Sequence, residues 1–174
     1  ICVIGYSDAS FETAQKSRSV AGDLVKLGVN AGAVRVKSKA INVVNLSSFE
    51  CELESLFKNV KSIRAIQNIV DDMNIERTRP SQGYTDNLAM LNFVKGDAVT
   101  KGVKHMERYL WSTRMEYLKG DIVYDHMSGK IIPADLLTKL GHVTPHRAFT
   151  ASVLGLALMQ GKWMSGWNCE ETVM

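Results

Sequence analysis

The sequence predicts a mixed α/β domain in which an antiparallel meander leads into strands that alternate with helices. Three observations carry this prediction. Three β-prone runs follow one another before Lys39. A long stretch after Ser47 then repeats apolar residues at helical spacing. The remainder alternates short β-type runs with helical ones, so that strand ends can gather side chains at one edge of a sheet.

Residues 1–8 are rich in β-type side chains and end at the turn-prone Ser7-Asp8-Ala9-Ser10, which predicts a strand delivering Asp8 at its C-terminal end. Residues 19–27 and 33–38 read as two further strands, with 28–32 as a hairpin loop. Ser47 or Ser48 is placed to cap a long helix with Glu50 in its first turn. Phe49, Leu53, Leu56, Phe57, Val60, Ile63, Ile66 and Val70 keep the period down to about Asn74. A fourth strand is expected over 82–85, ending at Asp86, and a short helix over 87–94, stopped by Lys95-Gly96. Residues 101–118 form the next predicted helix and 121–124 the fifth strand. Pro133 opens another helix at its first turn. A final amphipathic helix is expected from about Pro145 to Met159. The predicted order is thus β-β-β-α-β-α-α-β-α-α. Residues 1–141 are assigned to the α/β domain and 142–174 to a C-terminal helical extension and tail that carries Trp163 and Trp167.

The chain of 174 residues suits one such domain with a real core, and 45% apolar with 22% charged residues is ordinary for a globular protein. A net charge of +3 permits a nucleic-acid partner without demanding one. The three cysteines, Cys2, Cys51 and Cys169, form no C-x-x-C pair, which argues against a structural zinc site or a disulfide framework and for a reducing, intracellular setting. The expected location is a cytoplasmic particle or the nucleus. No apolar run is long enough to span a bilayer, so no membrane partner is expected. A chain beginning at Ile1, without a basic stretch before an apolar one, reads as a piece of something longer rather than as a signal peptide.

Four acids draw attention, and three of them have ordinary structural explanations. Asp8 can cap a turn, Asp86 can cap the helix that follows it, and Asp135 sits in a first turn where the helix dipole favours an acid. Glu52 is different. With Glu52 at 0° on a helical wheel, Val70 falls at roughly 0°, Ile63 at about 20°, Leu56 at about 40° and Val60 at about 80°. Glu50 and Glu54 fall at roughly 160° and 200°, on the expected solvent side. A carboxylate inside the apolar arc needs a metal, a cation or hydrogen-bond donors around it. A buried ion pair with a lysine or arginine would also satisfy it. Acids converging without histidine or cysteine neighbours favour a hard ion such as Mg2+ or Mn2+. Two such ions roughly 4 Å apart can activate a water and stabilise a leaving oxygen at a phosphodiester. Neither a Walker A loop nor a G-x-G-x-x-G loop competes with this reading.

Tyr6-Ser7-Asp8-Ala9, Lys16-Ser17-Arg18-Ser19, Lys37-Ser38-Lys39, Leu46 to Glu52, Thr85-Asp86-Asn87, Lys104-His105-Met106 and Ala134-Asp135-Leu136-Leu137-Thr138-Lys139 occur in that order. This ordered set, spanning roughly Val3 to Leu140, resembles the ribonuclease H domain that ends the polyprotein of copia-type LTR retrotransposons. The resemblance implies an RNase H-like mixed five-stranded sheet flanked by helices. It implies an endonuclease that cuts the RNA strand of an RNA–DNA hybrid with two Mg2+ or Mn2+ ions, beside a reverse transcriptase domain. Carried over by motif, the metal-binding and catalytic acids are Asp8, Glu52, Asp86 and Asp135. Asp8 would bridge both ions, Asp135 would hold the nucleophile-side ion, and Glu52 and Asp86 the other. The family's Glu-x-Glu leaves Glu50 and Glu52 as candidates, and the wheel selects Glu52.

Other ribonucleases H carry a loop histidine before the last aspartate that is thought to aid product release. His126, nine positions before Asp135, occupies such a place; a merely solvated histidine is the plainer account. Hybrid binding calls for cations, for which Lys16, Arg18, Lys37, Lys39 and Lys104 are the candidates, with Lys101 and Arg108 beside them. The alternative is a solvated face. This chain departs from the family at Phe11, where a tryptophan is common, at Val36, and at Ser-Phe-Glu-Cys-Glu-Leu before and after Glu52. These changes, with a C-terminal segment suited to docking a protein partner, motivate a second reading: a non-catalytic domain kept as a scaffold in a nucleoprotein assembly. An integrase or transposase is disfavoured, because those enzymes place their glutamate in a late helix.

Overall fold

The computed structural model describes residues 1–14, 18–41, 47–96, 106–139 and 150–155. Five strands form one sheet in the order β3-β2-β1-β4-β5. They are β1 (Ile4–Ala14), β2 (Arg18–Lys26), β3 (Ala33–Ala40), β4 (Ser81–Thr85) and β5 (Ile122–His126). The first three pair antiparallel as a meander, and β4 and β5 add in parallel on the other side of β1. Three α-helices, α1 (Ser48–Asp72), α2 (Leu88–Lys95) and α3 (Glu107–Leu118), and a short 3₁₀ helix (Pro133–Leu137) complete the described elements.

Alternation along the strands supplies a core on each side of the sheet. Val3 and Val25 pack beneath Leu53, Leu56, Val60 and Ile63 of α1, together with α2 and α3. Ile4, Tyr6 and Leu24 face the opposite way, onto Ile132 and Ala134 of the 3₁₀ segment. Phe49 meets Phe93 of α2 edge-on at 5.1 Å, and Phe57 meets Tyr109 of α3 at 4.8 Å, so α1 is covered by helices as well as by the sheet.

The first strand does not end at Asp8, as its turn-like sequence predicted. It runs on to Ala14 because its two neighbours stop at different places. The parallel ladder with β4 ends at Ser7↔Thr85, whereas the antiparallel ladder with β2 continues through Asp8↔Gly22, Ala9↔Ala21 and Ser10↔Val20. Asp8 is the first residue of β1 past the end of its β4 partner. It lies in mid-strand, yet at an open edge of the sheet.

The long helix begins where expected, with the Ser47 side chain accepting from the Glu50 amide. Its sheet-facing side holds small polar residues that periodicity does not reveal. Ser55 donates to the Asp8 carbonyl (2.7 Å), and Asn59 Nδ2 donates to Tyr6 O (3.1 Å) and Asp23 Oδ1 (2.6 Å). Tyr124 donates to Asn59 Oδ1 (2.7 Å), and Ser62 donates to Asp23, which also pairs with Arg35 at 3.4 Å. Asp23 is thereby buried without an orphaned charge.

The predicted helix over 101–118 is seen from Glu107 onward, and residues 101–105 lie outside the described part. Of the expected C-terminal helix, residues 150–154 are helical, and the rest of 142–174 also lies outside the described residues. Lys26 Nζ reaches this turn, donating to Ser152 O and Val29 O at 2.9 Å each, while Val153 packs on the second core. Among the described residues no helix is long and apolar enough to cross a membrane.

Asn59→Ala removes the donor to Asp23 and the acceptor of the Tyr124 hydroxyl together. It should cost about 2–4 kcal/mol in a urea unfolding series, more than a typical exposed substitution.

Candidate metal centre

Three acids from three elements meet at the open edge beside β1. Asp8 comes from β1, Glu52 from the first turns of α1, and Asp86 from the step between β4 and α2; one carboxylate oxygen from each lies within 4.8 Å of the others. Asp8 is buried, and Glu52 and Asp86 are half-buried. Asp86 does not cap α2. Asn87 does so, its side chain accepting from the Met90 amide at 2.8 Å, which leaves the Asp86 carboxylate for the cluster.

The fourth acid stands apart from the three. Asp135, in the 3₁₀ helix, is ion-paired with Lys139, although its charge is felt at Asp8 and at Asp86. Thr138, the C-cap of the same helix, donates its hydroxyl to Asp8 Oδ2. Its close approach depends on Gly22, the residue paired with Asp8. A Cβ there would stand 2.8 Å from Ala134 O and 2.9 Å from Thr138 Cγ2. His126, exposed at the end of β5, points Nε2 at the Asp86 carbonyl oxygen (3.1 Å); because a carbonyl only accepts, Nε2 carries the proton in this contact.

Burial pushes the Asp8 carboxyl up to about 6, and the neighbouring acids add to this against the Thr138 hydrogen bond and Lys139. Burial, then the charges of Asp8 and Asp86, pushes Glu52 up to about 9. Asp86 is raised as well, chiefly by burial. Lys139 shifts upward, first through its hydrogen bond to Asp135 and then through the field of Asp8, Asp135 and Asp86. Among the described residues no basic side chain pairs directly with Asp8, Glu52 or Asp86. A cluster of oxygen donors that resists its own charge, without histidine or cysteine, fits a hard divalent cation.

Glu52 does meet Asp8 and Asp86, but the wheel's contrast with its neighbours does not hold: Glu52 is half-buried. Glu50 and Glu54 are buried (3% and 5% exposed) rather than on a solvent face. The helix is enclosed on two sides, and Glu54 is partnered by Lys58 at 2.6 Å. Of the candidate cations, Arg18, Lys37, Lys39 and Arg108 are exposed, whereas Lys16, Lys101 and Lys104 lie outside the described residues. Sequence reasoning gave no place to Asp23, Ser55 or Asn59. Thr138 and Lys139 stood inside a quoted motif, and that was the signal that could have marked them.

No protein-family model matches the chain, and no curated protein matches it by sequence. Solved structures do match. The N-terminal RNase H domain of rv2228c from Mycobacterium tuberculosis aligns with a TM-score of 0.61 at 12% identity, covering 87% of this chain and 98% of that one. LC11-RNase H1, isolated from compost by a metagenomic approach, aligns at 0.58 and 16% identity over 79% and 92%. The prototype foamy virus protease–reverse transcriptase aligns at 0.50 and 15% identity, over 88% of this chain and 20% of that one. The five-stranded mixed sheet with its flanking helices is the ribonuclease H fold.

The raised carboxyls make stability depend on pH with a definite sign. Folded Asp8 and Glu52 hold protons that the unfolded chain releases, so their contribution is complete below about pH 4 and is lost as pH rises through about 6 and about 9. The urea midpoint of metal-free protein should fall between about pH 5 and 9, and millimolar Mg2+ should restore more stability at pH 8 than at pH 5. A flat metal-free profile would contradict the cluster.

Proposed function

We propose that this domain is a metal-dependent endoribonuclease that hydrolyses the RNA strand of RNA–DNA hybrids. The convergence of Asp8, Glu52 and Asp86 at the open edge of a ribonuclease H sheet carries this reading. Asp8, Glu52 and Asp86 would hold divalent ions, Mg2+ or Mn2+, with Asp135 at the rim as the fourth acid. Bound there, a pair of such ions supplies an activated water and charge neutralisation at the leaving oxygen. The chain's own groups do the rest. Ser55 fixes the backbone of Asp8 and Thr138 fixes its carboxylate, so the central acid is held before substrate arrives. In this reading His126, whose Nε2 meets the Asp86 carbonyl oxygen, would aid product release.

The ordered motifs from Tyr6-Ser7-Asp8 to Thr138-Lys139 support a copia-type retroelement origin. The foamy virus neighbour, a protease–reverse transcriptase, supports a reverse transcriptase as the partner in the same polyprotein. A relative of this fold has been seen in complex with an RNA/DNA hybrid: LC11-RNase H1, TM-score 0.57 at 13% identity over 78% of this chain and 93% of that one. The lack of a C-x-x-C pair among Cys2, Cys51 and Cys169 supports a reducing, intracellular setting.

One observation favours the second reading, a scaffold that no longer cuts. Asp135 already has a cationic partner in Lys139. Calorimetric titration separates the two: Mg2+-dependent heat in folded protein is expected of the nuclease, and its absence is expected of the scaffold.

With Mg2+ or Mn2+, the purified chain should cleave the RNA of a hybrid and leave single-stranded RNA largely intact. Glu52→Gln should lower cleavage by more than about a hundredfold and at the same time raise the urea midpoint of metal-free protein near pH 8, because folding then no longer requires a proton to be taken up at this position. Glu54→Gln should do neither. No cleavage by folded, full-length protein with either ion would overturn the enzyme assignment.

A further inference from the structure

A groove of about 340 Å³ lies between β3 and α1, outside the acid cluster, and five cations line it: Arg35, Lys37, Lys39, Lys58 and Lys61. It forms because β3 is the edge strand among the described strands, and α1 crosses above. Successive odd-numbered residues of β3 share a face, so Arg35, Lys37 and Lys39 make a row with a repeat of about 6.8 Å. Lys58 and Lys61, one turn apart on α1, form the facing row. The groove starts level with the cluster, since Lys39 pairs with Ala21 and Ala21 with Ala9, the neighbour of Asp8. Along α1 it begins about 9 Å from Glu52 and extends to about 20 Å.

Lysines on an edge strand commonly serve to block aggregation, and that would account for Lys37 and Lys39. It does not account for Lys58 and Lys61, which converge on the same space from another element. Two of the five cations are already committed: Arg35 to Asp23 and Ser62, and Lys58 to Glu54. Lys37, Lys39 and Lys61 have no carboxylate partner among the described residues, although Lys61 lies over the Phe57 ring at 5.4 Å. Beside the aliphatic stems of its lysines, the apolar residues lining the groove are Ala21 and Ala65, both small. A protein partner is anchored by large apolar or aromatic contacts, and among the described residues no large apolar or aromatic side chain lines this groove. Charge without such contacts matches a repeating anion read for its backbone alone.

We infer that this groove seats a phosphodiester backbone, one strand of the nucleic acid leading away from the carboxylate cluster. The inference rests on the nuclease reading and extends it by a second contact, in which Arg35, Lys58 and Lys61 join Lys37 and Lys39. It is tested by binding without divalent ions, so that cleavage plays no part. Fluorescence anisotropy with a labelled RNA–DNA hybrid in EDTA compares wild type with Lys37→Ala/Lys39→Ala/Lys61→Ala across a salt series, with Lys119→Ala as a control on α3. Circular dichroism checks that each variant is folded. The triple variant should bind at least about tenfold more weakly near 0.1 M salt, with a salt slope shallower by about 2, and Lys119→Ala should match wild type.

Wild-type affinity and slope in the folded triple variant would overturn the inference. Polyglutamate that binds the groove as tightly as the hybrid would also overturn it, in favour of an acidic protein segment. Cleavage that persists while the triple variant binds normally removes this inference alone. Groove-dependent binding without any cleavage removes the nuclease reading and leaves the groove assigned.

Discussion

Three carboxylates with oxygens within 4.8 Å of one another resist carrying charge together, and the rest of this fold is arranged to hold them there. Asp8, Glu52 and Asp86 arrive on a strand, a helix and a strand-to-helix step, each fixed by its own packing. The core beneath α1 sets the height of Glu52 over the sheet, and the core on the other face sets the 3₁₀ helix that presents Thr138 to Asp8. The carboxyls of Asp8 and Glu52 are raised in that arrangement, by burial first and by the neighbouring acids after it. A site that is poor at carrying its own charge is one that gains most from a divalent ion.

The same requirement explains the polar underside of α1. A helix that only covered a sheet would present aliphatic residues throughout, yet this one presents Ser55, Asn59 and Ser62 to β1 and β2. Their donors clamp the backbone at Tyr6 and Asp8 and compensate the buried Asp23. A strand tied at those carbonyls cannot slide, so the fork between the β4 and β2 ladders stays at Asp8. Specificity of register is exchanged here for apolar burial, on the side of the helix nearest the acids.

Charge is distributed to match. Acids gather at the forked edge, and cations line the groove between β3 and α1 that starts level with it. The mild net charge of +3 conceals this separation, because the acids of the cluster and of the surface ion pairs offset the basic rows. Net charge is a sum, whereas recognition depends on where each charge lies.

Much was legible in the sequence by itself. Alternation and helical period gave the five strands, the long helix and their order, since those patterns directly encode which faces are buried. Helical phase singled out Glu52, which meets Asp8 and Asp86, but on the mistaken expectation that Glu50 and Glu54 face solvent; the ordered motifs pointed to the ribonuclease H fold. Other features were decided only in three dimensions. The exposure of Glu50 and Glu54 depended on α2, α3 and the sheet enclosing α1 together, which a wheel cannot represent. The continuation of β1 past Asp8 depended on β2 outlasting β4 as a partner, and the freedom of Asp86 on Asn87 taking the cap. The pairing of Asp135 with Lys139, and the meeting of Lys37 and Lys39 with Lys58 and Lys61, join residues according to how elements lie in space. Local pattern fixes what each element is; the approach of one element to another fixes which charges meet.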